Sequence, residues 1–445
     1  MSDFSTAVDR YFRITERGST ISAEVRGGLI TFLSMVYILT VNPIVLGAAA
    51  TDVSWSQLFT STALAAAISC LLMGFYARMP IALAPGMGFN AFMSYTICLS
   101  LGICFSCALL CVFASGLLFL AISVTRVGTT LIEVFPKSLR FAFPPGMGLF
   151  IIIVGLSNAH IIVSGTGTIL SIGELDDPGV LLGLFSVFIT LGLWIKKVWG
   201  VVLIGIVSSL VIGLLSGIVS LPSDLSVSLD FGLVFSFFDG FGHITGHDMF
   251  LVVVAIFVLT VLNLFDTTGT LMAISDLLSD SSGVSESQYK RALVVSSVST
   301  MAGAVAGTST TATFMESCAG VESGSKTGLT AVVVAVLFIV SLFFSSVFKM
   351  ITNECIVGAL VFVGILMMSA LGRIDWRSKV DAVPALMTVF MTGLTCSITN
   401  GMAFGLLTYV FLTVMDGRRR EIHPVVWGLA LVFIIYFALY HSVLT

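Results

Sequence analysis

The stretch Met79-Pro80-Ile81-Ala82-Leu83-Ala84-Pro85-Gly86-Met87-Gly88-Phe89-Asn90 interrupts a chain that is apolar on either side of it. Pro80 and Pro85 each withhold a backbone N–H and oppose a continuing helix, while Gly86 and Gly88 allow close backbone approach. The stretch reads as an extended strand leading into a half-helix that begins near Gly88. A second interruption, Gly307-Thr308-Ser309-Thr310-Thr311-Ala312-Thr313-Phe314-Met315-Glu316, has a β-branched run that also favours extended backbone before a half-helix. Irregular backbone survives at membrane depth only where it lines a cavity or is buried in protein.

That membrane depth is the right frame follows from composition. Of 445 residues, 57% are hydrophobic and 10% charged, which excludes an ordinary water-soluble globule. Apolar runs of 18 or more residues recur from Gly28 onward, each long enough to cross a ~30 Å hydrocarbon layer as a helix. A β-barrel would show short alternating segments instead. A net charge of -4 offers no basic surface for nucleic acid. The expected fold is an all-α polytopic membrane protein.

Candidate segments are 27–46, 57–76, 85–98, 101–123, 142–158, 178–195 and 199–219, then 249–267, 291–307, 312–323, 327–348, 355–371, 383–398, 401–415 and 424–443. Two of them, 85–98 and 312–323, are too short to span, and they carry the interruptions. The leader 1–26 mixes acids with Arg10, Arg13, Arg17 and Arg26, which does not suit a signal peptide and suits the cytoplasm. With the leader inside, the positive-inside rule places Arg78, Arg126, Lys137, Arg140, Lys196, Lys197, Lys290, Arg291, Lys326, Arg373, Arg377, Lys379 and Arg418 to Arg420 inside, with Lys349 as the exception. The 220–248 loop, with Asp and His residues but no Lys or Arg, falls outside. The apolar run after Arg420 is either a fifteenth crossing or a helix on the membrane.

A weak internal repeat relates the halves. Leu39-Thr40-Val41-Asn42-Pro43 has a counterpart in Leu259-Thr260-Val261-Leu262-Asn263, the short segment carrying Asn90 in the one carrying Glu316, and Val187-Phe188-Ile189-Thr190 in Val389-Phe390-Met391-Thr392. Seven segments per half, an odd number, make the second copy inverted, which is a transporter signature. The division is then a 27–219 repeat, a 249–415 repeat and a 416–445 tail.

Two acids fall inside the apolar regions, Asp266 at the end of the run Phe250 to Phe265 and Glu316 in the second interruption. An ionised acid at the bilayer centre costs on the order of 2.5 to 3.5 kcal/mol, so each needs a reason. One reason is a place near the interface or a hydrogen bond to a broken-helix end. The other is a carboxyl that carries a proton and recognises substrate in a partly dehydrated cavity, between half-helix N-termini whose dipoles and free N–H groups surround a polar ligand.

Other motifs fail. Gly320-Val321-Glu322-Ser323-Gly324-Ser325-Lys326-Thr327 imitates a P-loop, but Ser325 replaces its second glycine and no α/β strand precedes it. Asp266-Thr267-Thr268-Gly269 lacks the matching second loop of an aspartic protease. The five His lack metal-ligand spacing, and Cys104-x-x-Cys107 has no second pair, so the eight Cys are expected to be packing or lipid-facing thiols, with no metal or cofactor.

Arg17-Gly18-Ser19-Thr20, Ala84-Pro85-Gly86-Met87-Gly88-Phe89-Asn90-Ala91-Phe92, Asn263-Leu264-Phe265-Asp266-Thr267-Thr268-Gly269-Thr270-Leu271 and the stretch from Glu316-Ser317-Cys318-Ala319-Gly320-Val321 to Lys326-Thr327-Gly328-Leu329-Thr330-Ala331 resemble the AzgA-like adenine, guanine and hypoxanthine permeases. The likeness covers nearly the whole chain in the family's order. It implies the fold of the uracil and xanthine permeases: fourteen segments as two inverted repeats of seven, a core and a gate domain, and half-helices preceded by short strands in the third and tenth segments. It implies proton-coupled purine import, with the family's functional residues at Asn90, Asp266 and Glu316. Glu322, Ser325 and Phe89 depart from the family pattern and bear on kinetics or substrate preference.

A purine presents donors and acceptors along its edge and an apolar face, so it calls for an amide, a carboxyl and a ring. Asn90, Asp266 and Glu316 supply the first two, and Phe89, Phe265 and Phe314 are candidates for the third, each also readable as core. Gly88, Thr313 and Met315 complete the expected substrate-binding set, Asp266 and Glu316 being the proton-coupling pair. The expected partners are a purine, the lipid bilayer and a second copy in a homodimer. The rival readings are a uracil, xanthine or anion carrier of the same architecture and a membrane-embedded hydrolase.

Overall fold

The structure is a computed structural model of the 445-residue chain and describes residues 3–125, 136–165, 170–196, 198, 200–220, 229–243, 249–278 and 284–444. The expectations for Arg126, Lys197, and positions 221–228 and 244–248 of the acidic loop lie outside the described residues.

Among the described residues nine helices are long and apolar enough to cross a membrane: Ile21–Gly47, Trp55–Ala77, Phe105–Val124, Lys137–Asn158, Pro178–Ile195, Met249–Ser275, Leu329–Lys349, Asn353–Arg373 and Ile398–Met415. Val201–Leu215, Glu286–Ala306 and Lys379–Leu394 are three more helices in the expected places. Half-helices Met87–Ser100 and Ser317–Glu322 follow the interruptions and complete the fourteen segments in chain order. Glu286–Ala306 is less apolar because Ser296, Ser297, Ser299 and Thr300 are all buried in protein rather than turned to lipid. A last helix, Pro424–Leu444, packs on the fourteenth segment, with the Phe404 and Phe437 rings 5.1 Å apart.

The segments pack as two bodies. The first four interleave with the eighth to eleventh, and the fifth to seventh with the twelfth to fourteenth. These are the core and the gate. Each repeat contributes to both bodies, as two related halves folded into one another require. Small residues set the approach within each body, since lipid supplies no hydrophobic drive between helices. A Cβ on Gly148 would stand 2.5 Å from the Gly364 carbonyl oxygen in the gate, and one on Gly74 would stand 2.8 Å from that of Gly328 in the core.

After a short helix, Asp3–Phe12, the first membrane segment starts at Ile21, earlier than the expected 27. Thr20 caps it by accepting the Ala23 N–H at 3.1 Å, and the charge of Glu24 is taken up elsewhere. Its buried carboxylate accepts the N–H of Lys326 at 2.8 Å, that of Thr327 at 3.2 Å and the Thr330 hydroxyl at 2.6 Å, at the start of the eleventh segment. The P-loop look-alike is therefore an internal anion cradle at a helix N-terminus. Arg17, Ser19 and Arg26 donate to the carbonyls of Lys326, Gly324 and Ser323, binding the leader to the same turn. Glu24→Ala leaves two buried N–H groups without their acceptor and is expected to cost about 2 to 3 kcal/mol, read as a lower thermal midpoint of the purified protein in detergent.

One expectation about the thiols is corrected. Cys104, exposed at the N-cap of the fourth segment, is joined to buried Cys107 in a disulfide, with Cα atoms 5.1 Å apart. The i, i+3 spacing across the helix start brings the two sulfurs together.

Candidate functional site

The two interruptions meet. Leu83–Pro85 pairs antiparallel with Thr311–Thr313, Leu83 opposite Thr313 and Pro85 opposite Thr311. The pairing continues beyond the strands. The Gly86 N–H donates to the Thr310 carbonyl at 3.0 Å, the Phe314 N–H to the Ala82 carbonyl at 3.0 Å, and the Ala82 N–H to Ser317 Oγ at 3.0 Å. Extended backbone at membrane depth has no water to satisfy it, and here each interruption supplies the other's partners.

The half-helices leave this crossing unequally. The first runs from Met87 to Ser100, its later turns widened to π geometry, and carries Asn90 within its first turn. The second is the single turn Ser317–Glu322, with Glu316 itself at the N-cap. The Glu316 side chain makes no capping hydrogen bond to this short helix and turns to Tyr37 instead.

Asn90 is buried, accepts the Ser309 hydroxyl on Oδ1, and has no protein partner for Nδ2 among the described residues. It thus ties the first half-helix to the second interruption and retains a donor. Glu316 Oε1 accepts the Tyr37 hydroxyl at 2.9 Å. Asp266 lies on the eighth segment, which packs on the short helix whose N-cap is Glu316. Both acids are half-buried although Phe265, Thr267, Phe314 and Ser317 beside them are buried, and Met315 is 51% exposed. Met315 is the exposed neighbour at this otherwise closed crossing.

The remaining predicted residues surround this point. A Cβ on Gly88 would lie 2.6 Å from Met147 Sδ, so its bare backbone is where the core's third segment meets the gate's fifth. Phe89 lies against Gly86, where a Cβ would stand 2.6 Å from the ring. Phe89, Phe265 and Phe314 are all buried in the same apolar core, and Phe265 stacks on Phe143 of the gate at 5.8 Å between centroids. Thr313 is a buried strand residue opposite Leu83.

Sequence reasoning missed Tyr37, Asn42, Phe143, Met147 and Ser309. Asn42 Nδ2 donates to Thr62 at 2.7 Å and to Thr308 at 2.8 Å, and Asn263 Nδ2 donates to Thr300 at 2.7 Å. Each repeat therefore pins its first helix to its second through an Asn to Thr bond. The signal lies in the repeated phrase, Leu39 to Pro43 and Leu259 to Asn263, each copy of which carries one Asn.

Two inverted sets of helices meeting at crossed strands, with two acids at the crossing, define an integral membrane transporter. The fold matches the transmembrane domain of a cyanobacterial bicarbonate transporter, BicA, with a TM-score of 0.62 over 86% of this chain and 97% of that one, at 15% identity. It matches SLC26A9 with a TM-score of 0.60 over 93% of this chain and 70% of that one, at 12% identity. The chain belongs to the permease family whose profile, Xan_ur_permease, matches residues 22–404. It is 40% identical to the guanine/hypoxanthine permease PbuG of Bacillus subtilis strain 168, covering 96% of this chain and 98% of that protein. It is 37% identical to the adenine permease AdeP of Escherichia coli K12, covering 96% and 95%.

Proposed function

We propose that the protein imports purine nucleobases, adenine foremost with hypoxanthine and guanine, by proton symport across the cell membrane. The observation that carries this reading is the pair of acids, Asp266 and Glu316, placed at the strand crossing together with an amide that keeps a spare donor on Asn90. A flat base with ring nitrogens and exocyclic groups is complementary to that set. Glu316 binds the purine edge and Asp266 helps to set its protonation, while Phe265 offers a ring face at the seam between core and gate. Relatives named for guanine, hypoxanthine and adenine support the substrate class.

A neutral base gains nothing from membrane potential unless an ion travels with it. One proton moving down 100 mV supplies about 2.3 kcal/mol, enough for roughly fifty-fold accumulation. Alternating access follows if the core, stapled across its crossed strands, moves as a unit against the gate. The leader then faces the cytoplasm, the repeats occupy 27–219 and 249–415, and two copies pair through lipid-facing surface.

The fold is shared with a bicarbonate transporter, which raises an anion as the rival cargo. Acids at the crossing repel an anion, so the nucleobase reading is favoured. Uptake of radiolabelled adenine by cells expressing the chain, competed with hypoxanthine, guanine, xanthine and uracil, tests the substrate. Competition by the purines and collapse of accumulation with an uncoupler are the expected results. Sodium-dependent uptake indifferent to the proton gradient would refute the coupling, and chemically altered intracellular label would favour a hydrolase.

A further inference from the structure

The first segment enters the site through a residue that neither interruption contains. Its helix breaks between Ile21–Met35 and Ile38–Gly47, and Tyr37 stands in that break, 2% exposed. The Tyr37 hydroxyl donates to Glu316 Oε1 at 2.9 Å across 279 positions of sequence. From the same segment, Asn42 donates to Thr308 at 2.8 Å. The first segment therefore grips the second interruption on both sides of its strand.

We propose that Tyr37 is a positioning residue that decides which oxygen of Glu316 receives the transported proton. This rests on the proton-symport reading above. A glutamate carboxyl turns about three side-chain bonds, and its two oxygens are equivalent until something distinguishes them. A hydroxyl donating to Oε1 distinguishes them, because a proton placed on Oε1 would face another donor. The incoming proton therefore bonds to Oε2, and Tyr37 keeps its own throughout. The protonated Oε2 then donates to an acceptor nitrogen of the purine while Oε1 stays with Tyr37; without the tyrosine donor either oxygen can offer that proton to the purine, so binding survives and the ordered capture and release of the proton is what is lost. On release the proton leaves Oε2 for water on the other side, and the carboxylate returns to its starting hydrogen bond.

Tyr37→Phe keeps the ring and removes only the donor. Net uptake against a gradient and exchange of external labelled adenine for internal unlabelled adenine are measured together in cells expressing the full chain. Exchange needs no net proton movement, so the proposal expects concentrative uptake to fall about tenfold, one hydrogen bond to a charged group, while exchange stays within about twofold. The readout is the ratio of the two rates, which does not depend on how much protein reaches the membrane. An unchanged ratio, whether both rates are normal or both fall, overturns the assignment. Wild-type accumulation that survives an uncoupler overturns the symport reading itself and with it this role. Wild-type accumulation that collapses beside an unchanged Tyr37→Phe ratio overturns the role alone.

Discussion

Glu316→Gln is expected to abolish accumulation of labelled adenine while leaving adenine exchange in place. The carboxamide has the same shape and retains an oxygen that accepts the Tyr37 hydroxyl, so the crossing strands and the short helix behind them keep their supports. On the proton-symport reading proposed above, what is lost is the group that gains and loses the proton. Without the coupled ion the substrate equilibrates, and a ratio of roughly fifty at 100 mV falls to one. Steady-state accumulation measured in energised cells reads this directly. Accumulation at the wild-type level in Glu316→Gln would remove Glu316 from coupling and turn attention to Asp266.

The second large effect is expected at Asn90. Asn90→Ala removes both the acceptor of the Ser309 hydroxyl and the spare amide donor, and substrate that relied on that donor leaves a buried group unpaired. Losing one such recognition bond in a dehydrated site is expected to lower uptake efficiency by about one hundredfold. Ser309→Ala separates the two contributions, since it breaks the internal bond and leaves the Nδ2 donor. If Asn90 serves recognition, Ser309→Ala stays within about tenfold of wild type. Equal losses in the two variants would assign Asn90 a purely structural role in bracing the interruption.

Much of this architecture is legible in the residues. Pro80, Pro85 and the glycines between them announce a helix that cannot continue, and the Thr-rich run before Glu316 announces another, so the two breaks were found at their right places. Hydropathy finds segments well where they face lipid and poorly where they do not, which is why Glu286–Ala306, with its buried serines, is the least apolar of the long helices. What local pattern does not carry is pairing. The bond from Tyr37 to Glu316 and the cradle that Glu24 fills both join positions some three hundred residues apart, and even where one end is conspicuous, as Glu316 is, nothing local names the other. By charge pattern Glu24 belongs to the mixed-charge leader 1–26, together with Arg17 and Arg26. Its real environment is a set of backbone donors contributed by a distant turn.

The antiparallel register between Leu83 and Thr313 also constrains how the molecule is made. The first strand enters the bilayer about 230 residues before its partner is synthesised, and at about 5–20 residues per second that is a wait of roughly ten to fifty seconds. Through that interval the strand lacks its ladder partner; Cys70, whose Sγ accepts the Leu83 N–H and donates to the Leu83 carbonyl, supports it from the same half, and the remaining backbone groups wait for the second interruption. The transporter's central seam is thus among the last features to close during biogenesis, and a ribosome stalled near the midpoint leaves a half-protein with its most polar edge facing lipid.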